Sequence, residues 1–219
     1  MRAVVFDFDF TLADSSSGAV ECINFALAQL NFPQVAPERA RKTIGLSLPE
    51  TFLALTGVGD SALSSDFANH FVRRADQVME SLTYLYDAVP QTVDSLRGFG
   101  IGLGIVSTKF RYRIENTLAR EKLLDRFDAI VGGKDVSRLK PDPAGLFRVL
   151  TQLGVEADEA IYVGDHVVDA EAAERAGVSF IAALSGTCRE EDFTGYPVQA
   201  FIDGVGGLVG VLRLEDRSF

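Results

Sequence analysis

The stretch VVFDFDFTLAD, Val4 to Asp14, sets two aspartates two positions apart at the end of an apolar run. Side chains alternate along an extended chain, so Asp7 and Asp9 point the same way. Like charges held close repel unless a cation lies between them. Further along, Ser107, Thr108 and Lys109 follow IGLGIV, Lys140 stands in RLKPDP, and Asp165 and Asp169 stand in GDHVVDAEAA. Carboxylates, hydroxyls and lysines gathered in one place suit a hard divalent cation such as Mg2+, which takes oxygen ligands from one or two carboxylates and a phosphate. Asp165 and Asp169, four residues apart at a helix start, share one face. Ser107 and the amides opening the next helix can hold phosphate oxygens, and Lys140 can neutralise charge on a nucleophile and on a phosphate.

These residues meet only if the elements bring them together. Apolar runs recur at RAVVF (2–6), IGLGIVS (101–107), FDAIVG (127–132), AIYVG (160–164), VSFIAAL (from 178) and VQAFI (198–202), with helical stretches between them. Runs apolar on both faces that alternate with helices predict a doubly wound parallel α/β sheet. In such a sheet ligands bind beyond the carboxyl ends of the strands. Every residue named above follows a strand.

The interval between Phe6 and Ile101 is too long for one crossover helix, so it holds an insertion. Val20, Ile23, Leu27 and Leu30, and then Leu63, Phe67, Phe71, Arg74 and Val78, recur at helical spacing. Pro37 opens a short helix that Gly45 ends, and SLPE at Ser47–Glu50 has capping-box form. The expected organisation is an α/β core of residues 1–14 and 85–219 with a small helical cap of residues 15–84. The closing RLEDRSF is expected to fray.

With 47% hydrophobic residues in 219, the chain can bury one good core or a core plus a small second domain. Its formal net charge of −10 argues against nucleic acid or an anionic membrane as partner. Cys22 and Cys188 do not make a disulfide framework, and no Cys/His grouping has zinc spacing. The start meets Asp7 before any signal-peptide core forms, and no run approaches a membrane span, so a cytoplasmic location is expected.

In these motifs and their order, the chain resembles the haloacid dehalogenase superfamily of phosphohydrolases, and within it the phosphoglycolate phosphatase and pyrophosphatase type with a helical cap. The resemblance implies an aspartyl-phosphate mechanism acting on a small phosphorylated metabolite. By it Asp7 is the nucleophile, Asp9 the general acid/base, Ser107 the phosphate-binding hydroxyl, and Lys140 the lysine of the third motif. Thr11 joins the substrate-binding set. Asp165 and Asp169 are the metal-side acids, and Mg2+ is ligated by the carboxylates of Asp7 and Asp165 and the main-chain carbonyl of Asp9. Two departures from the family pattern stand in the sequence. Phe10 stands where glycine is usual, and STK stands where a Thr-Asn pair is common.

Taken singly, each motif has a plainer reading. An Asp-x-Asp is a turn, Lys140 a solvated lysine, and GDHVVD a helix cap. Their shared place after successive strands favours catalysis. His166 reads as a supporting residue, His70 as cap helix, Phe25, Phe52, Phe67 and Phe71 as cap core, and Arg111 and Arg113 as a charged helix face. Arg41 and Lys42, in the cap before IGLSLPE, could contact a substrate carboxylate but are not ranked among the site residues. A sugar-phosphate mutase, an inorganic pyrophosphatase and a non-catalytic binding module are the competing functions.

Overall fold

The computed structural model describes residues 1–213; the part of RLEDRSF from position 214 on lies outside the described residues. In chain order the elements are β1 (Ala3–Phe6), β2 (Ala13–Asp14), α1 (Ser16–Gln29), α2 (Pro37–Arg41), α3 (Leu48–Thr56), α4 (Ser61–Val78) and β3 (Tyr84–Leu85). There follow α5 (Val89–Gly98), β4 (Gly102–Val106), α6 (Arg111–Arg120), β5 (Ala129–Val131), α7 (Ala144–Leu153), β6 (Ala160–Gly164) and α8 (Val167–Ala176). β7 (Ser179–Ala183), β8 (Val198–Ile202) and α9 (Leu208–Val211) complete the described chain. The backbone divides into two compact units, residues Met1–Leu12 with Leu85 onward, and Ala13–Tyr84.

The first unit is built on a six-stranded sheet in the order β5-β4-β1-β6-β7-β8, with every pairing parallel. All six apolar runs form strands. β1 shows why, because Ala3, Val4, Val5 and Phe6 are all fully buried, as a strand covered on both faces must be. One side of the sheet is packed by α7 through Leu146, Val149 and Leu150 and by α8 through Ala170, Ala172, Ala173 and Ala176. The alanines of α8 let that helix lie close.

Strand order reverses at β1: the chain runs from β1 to β4 and β5 on one side, then returns to β6 on the other. That reversal is the place where an open parallel sheet offers a crevice at its carboxyl edge. The register pairs Phe6 with Ile105 of β4 and with Val163 of β6, so the residues that follow these three strands emerge side by side.

The second unit contains α1 to α4 around Ile23, Ala26, Leu27, Ala40, Phe52, Leu55 and Phe67. Ser47 and Glu50 form the expected capping box of α3, with a proline in its first turn. Two expectations are corrected. α2 ends at Arg41 and not at Gly45, because Thr43 turns its amide and hydroxyl back to the Ala40 carbonyl and tightens the chain out of the α-helical path. Phe25 is only half-buried and lies beneath the Arg74 guanidinium, 5.4 Å from its ring centre, so it borders the core instead of filling it. Among the described residues no helix is long and apolar enough to cross a membrane.

Candidate active site

At the carboxyl edge of β1, Asp7 donates its amide to the Val163 carbonyl at 2.8 Å, which carries the strand pairing one residue past β1. Its side chain is buried, as are those of Asp165 and Asp169 after β6. Ligand oxygens from these three acids lie within 4.8 Å of one another. At that spacing two ionised carboxylates repel by roughly 3 kcal/mol at an effective dielectric constant of 20.

Lys140 supplies one opposing charge. Its ammonium is 2.6 Å from Asp169 Oδ1 and 2.8 Å from Asp7 Oδ1. Asp7 Oδ1 is buried, and the Lys140 ammonium meets it as an ion pair. Burial above all, together with the Asp169 charge and against the pull of Lys140, pushes the Asp7 carboxyl up to about 6. Burial and the neighbouring charges of Asp169 and Asp7 push Asp165 well above the usual carboxylate range. Burial disfavours the Lys140 charge, yet Asp169 and Asp7 outweigh it and hold the ammonium more firmly protonated than usual.

Asp169 is held on both oxygens. Oδ1 accepts from Lys140 and from the Tyr162 hydroxyl at 2.9 Å, while Oδ2 accepts from the His166 amide at 3.1 Å in the capping box that starts α8. Thr11 donates its hydroxyl to Asp165 Oδ1 at 3.3 Å, so it steadies that acid. Two glycines make room. A Cβ on Gly164 would stand 2.6 Å from Asp169 Cγ, and one on Gly186 would stand 2.7 Å from Asp165 Cγ.

The remaining candidates lie beside this cluster. The Asp9 carboxylate takes the Lys109 ammonium at 2.8 and 3.2 Å and is outside the trio of Asp7, Asp165 and Asp169. Ser107, after β4, is buried and accepts the Lys109 amide on Oγ at 3.3 Å. His166 Nδ1 accepts the Val168 amide, and burial holds the ring below its ordinary value, which suits a neutral cap. Arg111 pairs with Glu115 one turn on, as a charged helix face does. Arg41, in the second unit, lies 3.7 Å from Asp14.

Phe10, at the position where the family pattern has glycine, adopts glycine's conformation. Its φ is +61°, its side chain is buried, and its carbonyl accepts the Ser185 hydroxyl at 2.5 Å. Sequence reasoning missed Tyr162, Ser185 and Gly186. A phenol inside the buried run AIYVG was the signal for Tyr162, because a buried hydroxyl needs partners. The Ser-Gly pair one residue past the end of β7 was the signal for the other two.

The acids and Lys140 thus gather at the switch point of a doubly wound α/β sheet, where such folds place their ligand sites. Residues 4–183 match the haloacid dehalogenase-like hydrolase family, to which the chain belongs. It is 32% identical over 192 residues to the phosphoglycolate phosphatase of Pseudomonas savastanoi, covering 84% of this chain and 70% of that protein. It is 29% identical over 219 residues to the pyrophosphatase PpaX of Bacillus cereus, covering 100% of this chain and 99% of that protein. Among solved structures, a protein assigned to the haloacid dehalogenase-like hydrolases from Bacteroides fragilis superposes with a TM-score of 0.92 at 38% identity, over 94% of this chain and 99% of that one. The chain is thus a hydrolase of the phosphatase kind.

Proposed function

We propose that this protein is a Mg2+-dependent phosphatase of a small phosphomonoester, phosphoglycolate or a similarly compact anion, working through an aspartyl phosphate on Asp7. The observation that carries the reading is the burial of Asp7, Asp165 and Asp169 together against the single ammonium of Lys140. Three acids facing the Lys140 ammonium leave an excess of negative charge away from water, and Asp7 Oδ1, which has that ammonium at 2.8 Å, is an oxygen a divalent ion can share. The donor set fits a hard divalent ion. Asp7, Asp165 and the main-chain carbonyl of Asp9 would hold it, with Asp169 the least open because its oxygens already serve Lys140, Tyr162 and His166. When bound, the ion stabilises charge on the transferring phosphoryl group.

The chain's own residues do the rest. An Asp7 carboxylate oxygen attacks phosphorus in line, the ester P–O bond breaks, and Asp9 gives its proton to the departing alkoxide. Asp9, now a carboxylate, takes a proton from the water that attacks the acyl phosphate, which frees inorganic phosphate and restores Asp7. Lys140 keeps the nucleophile in place and offsets charge on the phosphate. Ser107 and the backbone opening α6 are the phosphate-oxygen donors, and Thr11 orients Asp165. Units of this kind select substrates through inserted segments, and residues 15–84 are the proposed cap.

The full-length likeness to a pyrophosphatase supports pyrophosphate as a second substrate reading. Release of inorganic phosphate from phosphoglycolate, pyrophosphate and p-nitrophenyl phosphate, with Mg2+ and with EDTA, tests the proposal. Metal-dependent release is expected, fastest with the natural substrate class. Transfer of the phosphoryl group to a sugar phosphate without free phosphate would show a mutase, and no release from any of them at high enzyme concentration would show a binding module.

A further inference from the structure

The pair formed by Lys109 and Asp9 is not explained by phosphate binding or by the acidic trio. Both side chains are nearly buried, 6% and 13% exposed, and the ammonium meets both carboxylate oxygens. Ion pairs on protein surfaces are loose and worth little; one this enclosed fixes where the carboxylate sits. The lysine itself is fixed. Its main-chain carbonyl accepts the Gly133 amide at 2.9 Å, its own amide bonds Ser107 Oγ, and its ammonium lies 5.7 Å from the centre of the buried Phe8 ring. The loop after β5 lies backbone to backbone on this segment, so close that a Cβ at Gly133 would collide with the Thr108 carbonyl. A rigid loop therefore presents a rigid cation to a carboxylate that sits on the turn after β1.

We propose that Lys109 is a positioning residue for Asp9, setting the carboxyl group where it can pass a proton to the leaving group. The inference rests on the reading of Asp9 as the acid/base. It differs from a phosphate-binding role for Lys109 in one measurable respect. A cation on the phosphoryl group helps every phosphomonoester alike, whereas a positioned acid helps most where the leaving group most needs a proton.

The test is kcat/KM for ethyl, phenyl and p-nitrophenyl phosphate, which share the phosphoryl group and differ in leaving-group basicity. The ratio between ethyl and p-nitrophenyl phosphate is independent of how much enzyme is folded, so a poorly folding variant cannot mimic the effect. Lys109→Met is expected to lower that ratio on the order of tenfold or more, and Lys109→Arg to keep it within about threefold of the wild type. Asp9→Asn should lower it comparably, and adding Lys109→Met to Asp9→Asn should change it by no more than about twofold, since both act through one group. Equal losses on all three esters, or losses that multiply in the double variant, overturn the inference. Wild-type protein that hydrolyses none of the esters overturns the underlying reading of the site, whereas active wild-type protein with an unchanged ratio in Lys109→Met overturns the role of Lys109 alone.

Discussion

Phe10 joins the turn that carries Asp9 to the body of the first unit by two opposing effects. A bulky residue in the left-handed region costs about 1–2 kcal/mol, yet a buried phenylalanine contributes about 1.5–3 kcal/mol by leaving water. Burial wins, and the Ser185 hydroxyl on the Phe10 carbonyl ties the turn to the segment after β7. Phe10→Gly is therefore expected to lower unfolding free energy by about 1–3 kcal/mol, the lost packing being only partly offset by relief of strain. Phe10→Ala should be worse by a further 1 kcal/mol or so, because alanine loses the packing and keeps the strain. Urea unfolding of the two variants decides it, and an alanine variant as stable as the glycine variant would show that no strain is present.

The elements were legible in the sequence wherever burial was two-sided. β1, β4, β5, β6 and β7 come from largely apolar, mostly buried runs, while β8, at the sheet edge with Gln199 exposed, was legible from β-rich composition alone. The acids and hydroxyls directly after β1, β4 and β6 marked the site edge. The helices α3 and α4 were legible from a capping box and an apolar stripe. What the chain order did not reveal was who bonds to whom across the sheet. Tyr162 was hidden inside a strand whose other residues are apolar, though its hydroxyl meets Asp169, Lys140 and the Val106 carbonyl. Lys109 and Asp9, a hundred positions apart, carried no spacing signal for their pairing. The close fit of Gly186 depends on the Asp165 side chain, which arrives from the segment after β6. Periodicity reports which face of an element is buried and is silent about contacts between loops.

For the molecule as a whole, the buried acids link stability to pH and to metal. The Asp7 carboxyl rises from an ordinary value of 3.8 to about 6 in the folded chain, so without metal the folded state holds this proton more tightly than the unfolded state does. The contribution of Asp7 to metal-free stability therefore falls as pH rises through the window from about 4 to about 6. A divalent ion reverses this, because it binds the carboxylates and not the protonated acids. The rise in Tm produced by millimolar Mg2+ is expected to be small near pH 4.5 and to grow to several degrees near about pH 7.5. Equal shifts at both pH values would place the ion elsewhere.

The central claim is that Asp7 carries the phosphoryl group during turnover. Rapid acid quench of enzyme turning over p-nitrophenyl phosphate, followed by mass-spectrometric mapping of the labile phosphate, tests it most directly. The expected result is a phosphoryl group on Asp7 that appears only with Mg2+ and is absent from Asp7→Asn, which also loses turnover. Turnover by Asp7→Asn at the wild-type rate, or a phosphoryl group mapped to any other side chain, would contradict the account.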